Sequence, residues 1–136
     1  GYLIESQTLA GLDADRPASA LQDILSWCAT NQPRFWGRHD HDPHGRVKTP
    51  LHGWAGTWGP GDDWDYIAIS TLAFNAKMTE IGHDPKEIAT RWAERDWLLS
   101  GTGRNRTRTL RIDGAPTRCY CIGRRAADEV FGNTSW

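Results

Sequence analysis

The stretch "DPKEIATRWAERDWLLSGTGRNRTRTLRIDGAPTRCYCI", residues 84–122, carries most of the fold argument. Its first half repeats apolar residues at helical spacing. Ile88, Ala89, Trp92 and Leu98 form the buried set, and Lys86, Glu87, Thr90, Arg91, Glu94 and Arg95 form the exposed one. Asp84 suits an N-cap and Pro85 the first helical position. The second half changes period. "TRTLRI" and "TRCYCI" alternate polar and apolar residues around "DGAP", and an Asp-Gly step between alternating runs predicts a β-hairpin.

Moving toward the N-terminus, "TLAFNAKMTEIG" predicts a helix opened by Ser70 and closed by Gly82. Leu72, Ala73, Ala76 and Ile81 can share its apolar face, with Phe74 or Met78 at the edge. Only "GHD" separates this helix from the next, so the pair reads as a helix–turn–helix. "WDYIAI" before it reads as a short strand. Further back, Ala20, Leu21, Ile24, Leu25, Cys28 and Ala29 predict a helix over about residues 18–31, stopped by Asn31 and Pro33. The order helix, strand, helix–turn–helix, hairpin is that of an α+β winged helix, with the hairpin as the wing. Its expected limits are residues 17–123, with an arm or linker at 1–16 and a tail at 124–136 that can add a short helix near 125–131. A Gly-, His- and Trp-rich loop fills about 33–63, and "LHGWAGTW" within it can form a short strand. The sequence contains no internal repeat or low-complexity tract.

Charge is distributed unevenly. The net charge of the 136 residues is −1, yet residues 102–127 hold seven arginines against one acid, Asp113. Residues 1–101 hold nine basic and fourteen acidic side chains. This asymmetry suits an anionic partner on one face. On the first wing strand Arg104, Arg106 and Arg108 are expected on one side, with Thr107 and Thr109 on the other. Leu110 and Ile112 continue the arginine side into the core. Guanidinium groups pair well with phosphate, so Arg104, Arg106, Arg108, Arg111 and Arg118 are candidate phosphate contacts, with Lys86, Arg91 and Arg95 approaching a groove. The competing reading is a solvated edge whose arginines prevent aggregation. Glu87 and Glu94 repel phosphate, and the Glu87–Arg91 and Arg91–Glu94 spacings can simply stabilise the helix.

The remaining motifs are less specific. "HDHDPHG" crowds His39, Asp40, His41, Asp42 and His44, types that bind zinc or manganese. Adjacent ligands on a loop seldom close a site, and a polar surface loop is the commoner outcome. No HExxH, nucleophile-elbow or deaminase pattern occurs. The sequence therefore assigns no catalytic residue, metal or cofactor, and the expectation is a binding module rather than an enzyme. Trp36, Trp54, Trp58 and Trp64 crowd the middle loop. Trp64 and Trp92 are expected in the core. Trp54 and Trp58, flanked by glycines, can pack or stack on single-stranded bases. Cys28, Cys119 and Cys121 are odd in number and lack CxxC spacing, so reduced cytoplasmic thiols are expected. No run approaches the roughly 20 apolar residues of a membrane span, and no secretory leader is evident. The missing initial Met suits a piece of a longer protein.

The segments "LQDILSWCATNQPRFW", "GWAGTW", "YIAISTLAFNAKM" and the opening stretch together resemble a known family. It is the C-terminal end of the phage- and mobile-element helicase-like proteins catalogued as domain of unknown function 927. The resemblance spans about residues 20–122 and rests on loose apolar and small-residue patterns. It implies an accessory role in replication or mobile-DNA processing, with DNA, duplex or single-stranded, and a helicase or ATPase core as partners. The family's ATPase activity does not carry over, because no GxxxxGK[ST] loop is present. Two other readings stay open: a protein-interaction module docking on an ATPase core, and a small metal-dependent nuclease using the His/Asp loop.

Overall fold

Two local signals set the first helix. Pro17 lies in its first turn, where its missing N–H costs nothing, and an apolar stripe follows at i, i+3, i+4 spacing. In the computed structural model, which describes residues 15–99 and 106–131, this helix, α1, spans Arg16–Thr30. Ala20, Leu21, Ile24, Leu25 and Cys28 are buried along it. A single 3-10 turn, Gln32–Arg34, then leads into strand β1, Phe35–Trp36.

The chain continues through β2 (Gly56–Trp58), β3 (Tyr66–Ser70), α2 (Thr71–Glu80), α3 (Pro85–Glu94), β4 (Arg108–Ile112), β5 (Ala115–Gly123) and α4 (Arg124–Phe131). The fold is mixed α+β. Among the described residues, four helices accompany one five-stranded sheet of order β1-β2-β3-β5-β4. β1 and β2 run parallel, and the other neighbours are antiparallel.

The helix–turn–helix is stopped and started by local chemistry. The Ser70 hydroxyl accepts from the Ala73 N–H at 3.1 Å and caps α2. At its far end Gly82 takes φ +88°, its N–H donates to Thr79 O, and the His83 N–H reaches back to Met78 O at 2.8 Å. That is a Schellman closure. Asp84 then caps α3 by accepting from the Lys86 N–H at 3.2 Å. The buried face of α2 differs from the sequence expectation. Phe74 and Met78 are buried, whereas Leu72 is 81% exposed and Ala76 is exposed. The apolar residues of α2 divide between two faces, and the larger Phe74 ring takes the core, stacking edge-on with Trp92 at 5.3 Å and against Tyr120 at 4.4 Å.

The hairpin turns where the Asp-Gly step predicts. Asp113 and Gly114 both adopt positive φ, 52° and 81°, and Ile112 pairs with Ala115 across them. Two left-handed residues match the twist of the flanking strands. β5 also pairs with β3 along residues 119–123.

The sheet separates two apolar groups. Phe35, Trp58, Ile67, Ile69 and Ile122 turn toward the helices and join the main core with Leu21, Ile24, Phe74, Ile88 and Trp92. The Trp92 indole N–H donates to Pro17 O at 2.9 Å, tying α3 to the start of α1. Ala68, Ile112, Cys119 and Cys121 lie on the other face. The helix α4 packs on α1 and buries Ala126 and Ala127, so the packed body continues past residue 123. The segment expected as a long loop contributes β1 and β2 to the sheet. Gly56 permits this, because a Cβ there would lie 1.8 Å from Ala68 O. Trp58, open to either reading in the sequence, is 1% exposed, and Trp64 is 3% exposed.

Candidate nucleic-acid interface

α3 presents Lys86, Glu87, Arg91, Glu94 and Arg95 to solvent. Two of its cations are engaged. Arg91 Nη1 lies 3.3 Å from Glu94 Oε2, and Arg95 Nη1 lies 2.8 Å from Asp15 Oδ1. Arg95 also sits over the Trp97 ring at 5.0 Å. Lys86 forms no ion pair among the described residues. Exposed pairs of this kind hold charge weakly, so an anion can compete for Arg91. A recess of about 320 Å³ between α1 and α3 is lined by Arg16, Arg91 and Arg95 on one side of the charge balance and Asp84, Glu87 and Glu94 on the other. These three cations and three carboxylates balance in formal charge.

The segment leading into the β4–β5 hairpin meets α3 through one hydrogen-bonded chain. Arg106 Nη1 donates to Thr90 Oγ1 at 2.8 Å, and the Thr90 hydroxyl donates to Lys86 O at 2.8 Å. This places a guanidinium at the middle of α3. Arg106 and Arg118 both lie near Tyr120; burial pushes the Tyr120 hydroxyl pKa up, and these two cations pull it back down. Arg111 donates to Gly114 O at 3.2 Å and braces the turn. Neither Arg108 nor Arg118 forms an ion pair among the described residues.

The arginines do not share one side as the strand alternation suggested. Arg108 is opposite Cys119, on the face away from the helices, while Arg118 pairs with Thr109 and shares the helix-side face with Arg111. Arg106 reaches that same helix side through Thr90. Alternation fails there because β4 begins at Arg108, and Arg106 stands in a bend before it. Arg104 lies outside the described residues. Among the described cations, Arg106 is bonded to α3 at Thr90, and Arg111 and Arg118 share the helix-side face of the hairpin. Arg95 is drawn to Asp15, and Arg108 is separate.

The His/Asp loop is organised by other bonds. His39 Nδ1 accepts from the Gly37 N–H at 3.1 Å, and its ring stacks on Trp36 at 4.5 Å. Asp42 Oδ1 accepts from the backbone N–H of His44 and Arg46, each at 2.9 Å, and so closes a turn. Among the described residues no three His, Cys, Asp or Glu side chains converge to hold a metal ion. No helix among them is long and apolar enough to cross a membrane. All three cysteines are free and buried. Burial pushes Cys119 up to about 12 and Cys121 up to about 11, and raises Cys28 further still.

Two contributors had no legible signal in the sequence. Thr90 looks like any exposed helical threonine until Arg106 meets it. Arg38 lies 3.8 Å over the Trp58 ring while donating to Gly59 O at 2.9 Å, Gln32 Oε1 at 3.1 Å and Gly61 O. It stitches the turn before Trp64 to β1, and only the folded chain brings these groups together. No protein-family profile matches the sequence, and no curated protein matches it.

Proposed function

We propose that the chain is a winged-helix module that binds nucleic acid through α3 and the β4–β5 wing. The observation that carries this reading is the connectivity of α1, β3, α2, α3, β4 and β5, with neighbouring strands in the order β3-β5-β4. A winged helix places its first strand against the second strand of its wing, so the β3–β5 pairing supports this reading, with β1 and β2 as additions between α1 and β3. The Arg106–Thr90 bond supports it by joining the wing to the second helix of the helix–turn–helix. Lys86 and Arg118, which form no ion pair among the described residues, supply the phosphate contacts with Arg106 and Arg111. The module acts by binding, not catalysis. Its context is the replication apparatus of a phage or mobile element in the cytoplasm, where it positions DNA for a helicase-like ATPase core. The resemblance of residues 20–122 to such proteins motivates that part.

Fluorescence anisotropy with labelled duplex and single-stranded DNA at two salt concentrations tests the reading. Binding should weaken with salt, and Arg106→Ala with Arg118→Ala should reduce the logarithmic salt slope by roughly 2, about one per lost phosphate contact. Absence of duplex binding at low salt, or an unchanged slope in the double variant, sinks it. One observation favours a second reading, docking on a protein partner: Leu72 is 81% exposed on α2. Leu72→Glu should leave DNA affinity unchanged on the first reading and abolish association with an ATPase core on the second.

A further inference from the structure

The sheet has a second surface that the α3–wing face does not use. Its apolar floor is Ala68, Ile112, Cys119 and Cys121, and no helix residue belongs to that cluster. Trp36, Trp54, Tyr66 and Leu110 ring the floor and stay partly exposed. Three of these four are aromatic. The first two are held in a fixed arrangement with His39. Trp36 stacks on the imidazole at 4.5 Å with planes 20° apart, and Trp54 meets Trp36 and His39 edge-on at 5.4 and 5.5 Å. The Thr57 hydroxyl fixes the backbone beneath by donating to Trp36 O at 2.9 Å. Rings already ordered in this way lose little freedom on stacking against a ligand.

Charge gives the surface a direction. Arg108 projects on the same face, opposite Cys119, and forms no ion pair among the described residues. At the Tyr66 end, Asp63 and Asp65 line a neighbouring recess with Thr57. A ligand with a flat apolar part and an anionic part therefore fits in one orientation, its anion toward β4 and its rings toward β1.

We propose that this helix-free face is a stacking platform for single-stranded nucleic acid, with bases on Trp36, Trp54 and Tyr66 and a backbone phosphate on Arg108. Every base presents a π-face, so such a platform is tolerant of sequence, and a guanidinium at its edge holds the strand in register. An aliphatic protein partner is matched less well, because Leu110 is the single aliphatic side chain at the rim among the described residues. The platform stands apart from the α3–wing face, and variants separate the two.

The test titrates an oligodeoxythymidylate of about ten nucleotides, within the usual span of a single-strand site, into the full chain at low salt. Stacking should quench tryptophan fluorescence. Tyr66→Leu and Trp36→Leu keep apolar bulk but remove the ring, and each should weaken binding about tenfold or more. Arg108→Ala should weaken binding and reduce the logarithmic salt slope by about one. Arg118→Ala, on the α3–wing face, should leave the quench intact while weakening duplex binding. Circular dichroism checks each variant, and if Trp36→Leu unfolds, Tyr66→Leu and Arg108→Ala decide. The proposal is overturned by the absence of any quench or binding, or by unchanged affinity in folded Tyr66→Leu and Arg108→Ala. It is also overturned if the chain is a dimer that Tyr66→Lys dissolves, which would assign the face to a second copy.

Discussion

Replacing Gly56 by Ala should be among the most damaging single-methyl changes this chain can suffer. The added Cβ would fall 1.8 Å from Ala68 O and 2.8 Å from its carbonyl carbon. Those are backbone atoms of the neighbouring strand, so no side chain can swing aside. Carbon contacts are comfortable near 3.5 Å, so β2 and β3 would have to part locally by about 1.7 Å. An N–H···O bond stretched that far no longer counts as one. The strands pair through Gly56–Ile69, Thr57–Ala68 and Trp58–Ile67, and Ala68, Ile69 and Ile67 are all fully buried. Two buried backbone bonds left open at about 1–3 kcal/mol each give a loss on the order of 4 kcal/mol. That is a large part of the 5–15 kcal/mol available to a typical domain. Gly45 provides the control. Unlike Gly56 it has positive φ, +77°, but a Cβ there meets nothing within 4 Å, so Gly45→Ala should cost only the left-handed strain of about 1–2 kcal/mol. Urea unfolding followed by far-UV circular dichroism measures both. If the two variants unfold within about 1 kcal/mol of one another, the close approach of β2 to β3 is wrong.

Four further outcomes follow from individual side chains. Native Cys28, Cys119 and Cys121 should resist iodoacetamide at pH 8 and react on unfolding, because burial holds all three thiols protonated. The folded thiol pKa values lie above the unfolded ones, so the stability they contribute is present below the ordinary thiol range and is lost as pH rises above about 9. Thermal midpoints across that range should therefore fall less steeply in Cys119→Ala with Cys121→Ala than in the parent. Arg38→Lys should fail to rescue Arg38→Ala, each costing about 1–2 kcal/mol in urea, since an ammonium cannot stack on Trp58 while serving three acceptors. Trp92→Phe should cost about 1–3 kcal/mol because Pro17 O loses its buried donor; a loss within error would mean that α3 is not tied to α1 by that bond.

Legibility in the sequence tracked how local each cause was. The Asp113–Gly114 turn, the Asp84 cap, the Ser70 cap and the Gly82 stop are decided within a few residues, and each was readable before any fold was known. The α3 face was readable too, because Ile88, Ala89 and Trp92 leave a single possible stripe. α2 was not. Its apolar residues do not fall on one stripe, and the position of Trp92 and Tyr120 selects Phe74 over Leu72 for burial. β1 and β2 span two and three residues, too short for any period to show, and they exist because Arg34 O accepts from the Ala55 N–H far along the chain. The candidate interface followed the same rule. Its arginines were legible as a count, but their partition needed the register of β4 on β5 and the bend at Arg106.

Successive residues of a strand point to opposite faces, so Arg108 and Arg111, three apart in β4, serve different sides of the sheet. Arg118 stands with Arg111, while Arg106 crosses to Thr90 on α3. The proposed duplex surface and the proposed single-strand platform thus share one hairpin as a common wall. Removing β4 would strip the edge from β5, expose Cys119, and take Arg108 and Arg111 from the two surfaces together, so a deletion cannot tell them apart. Charge reversal at single positions can. Arg118→Glu places an acid on the α3 side alone, and Arg108→Glu places one on the opposite face alone. If both substitutions damage duplex and single-strand binding equally, the hairpin acts as one undivided basic patch, and the two-faced arrangement has no functional meaning. If each damages one ligand and spares the other, a junction carrying both duplex and single strand should bind the parent chain more tightly than either ligand alone, because the second contact becomes intramolecular.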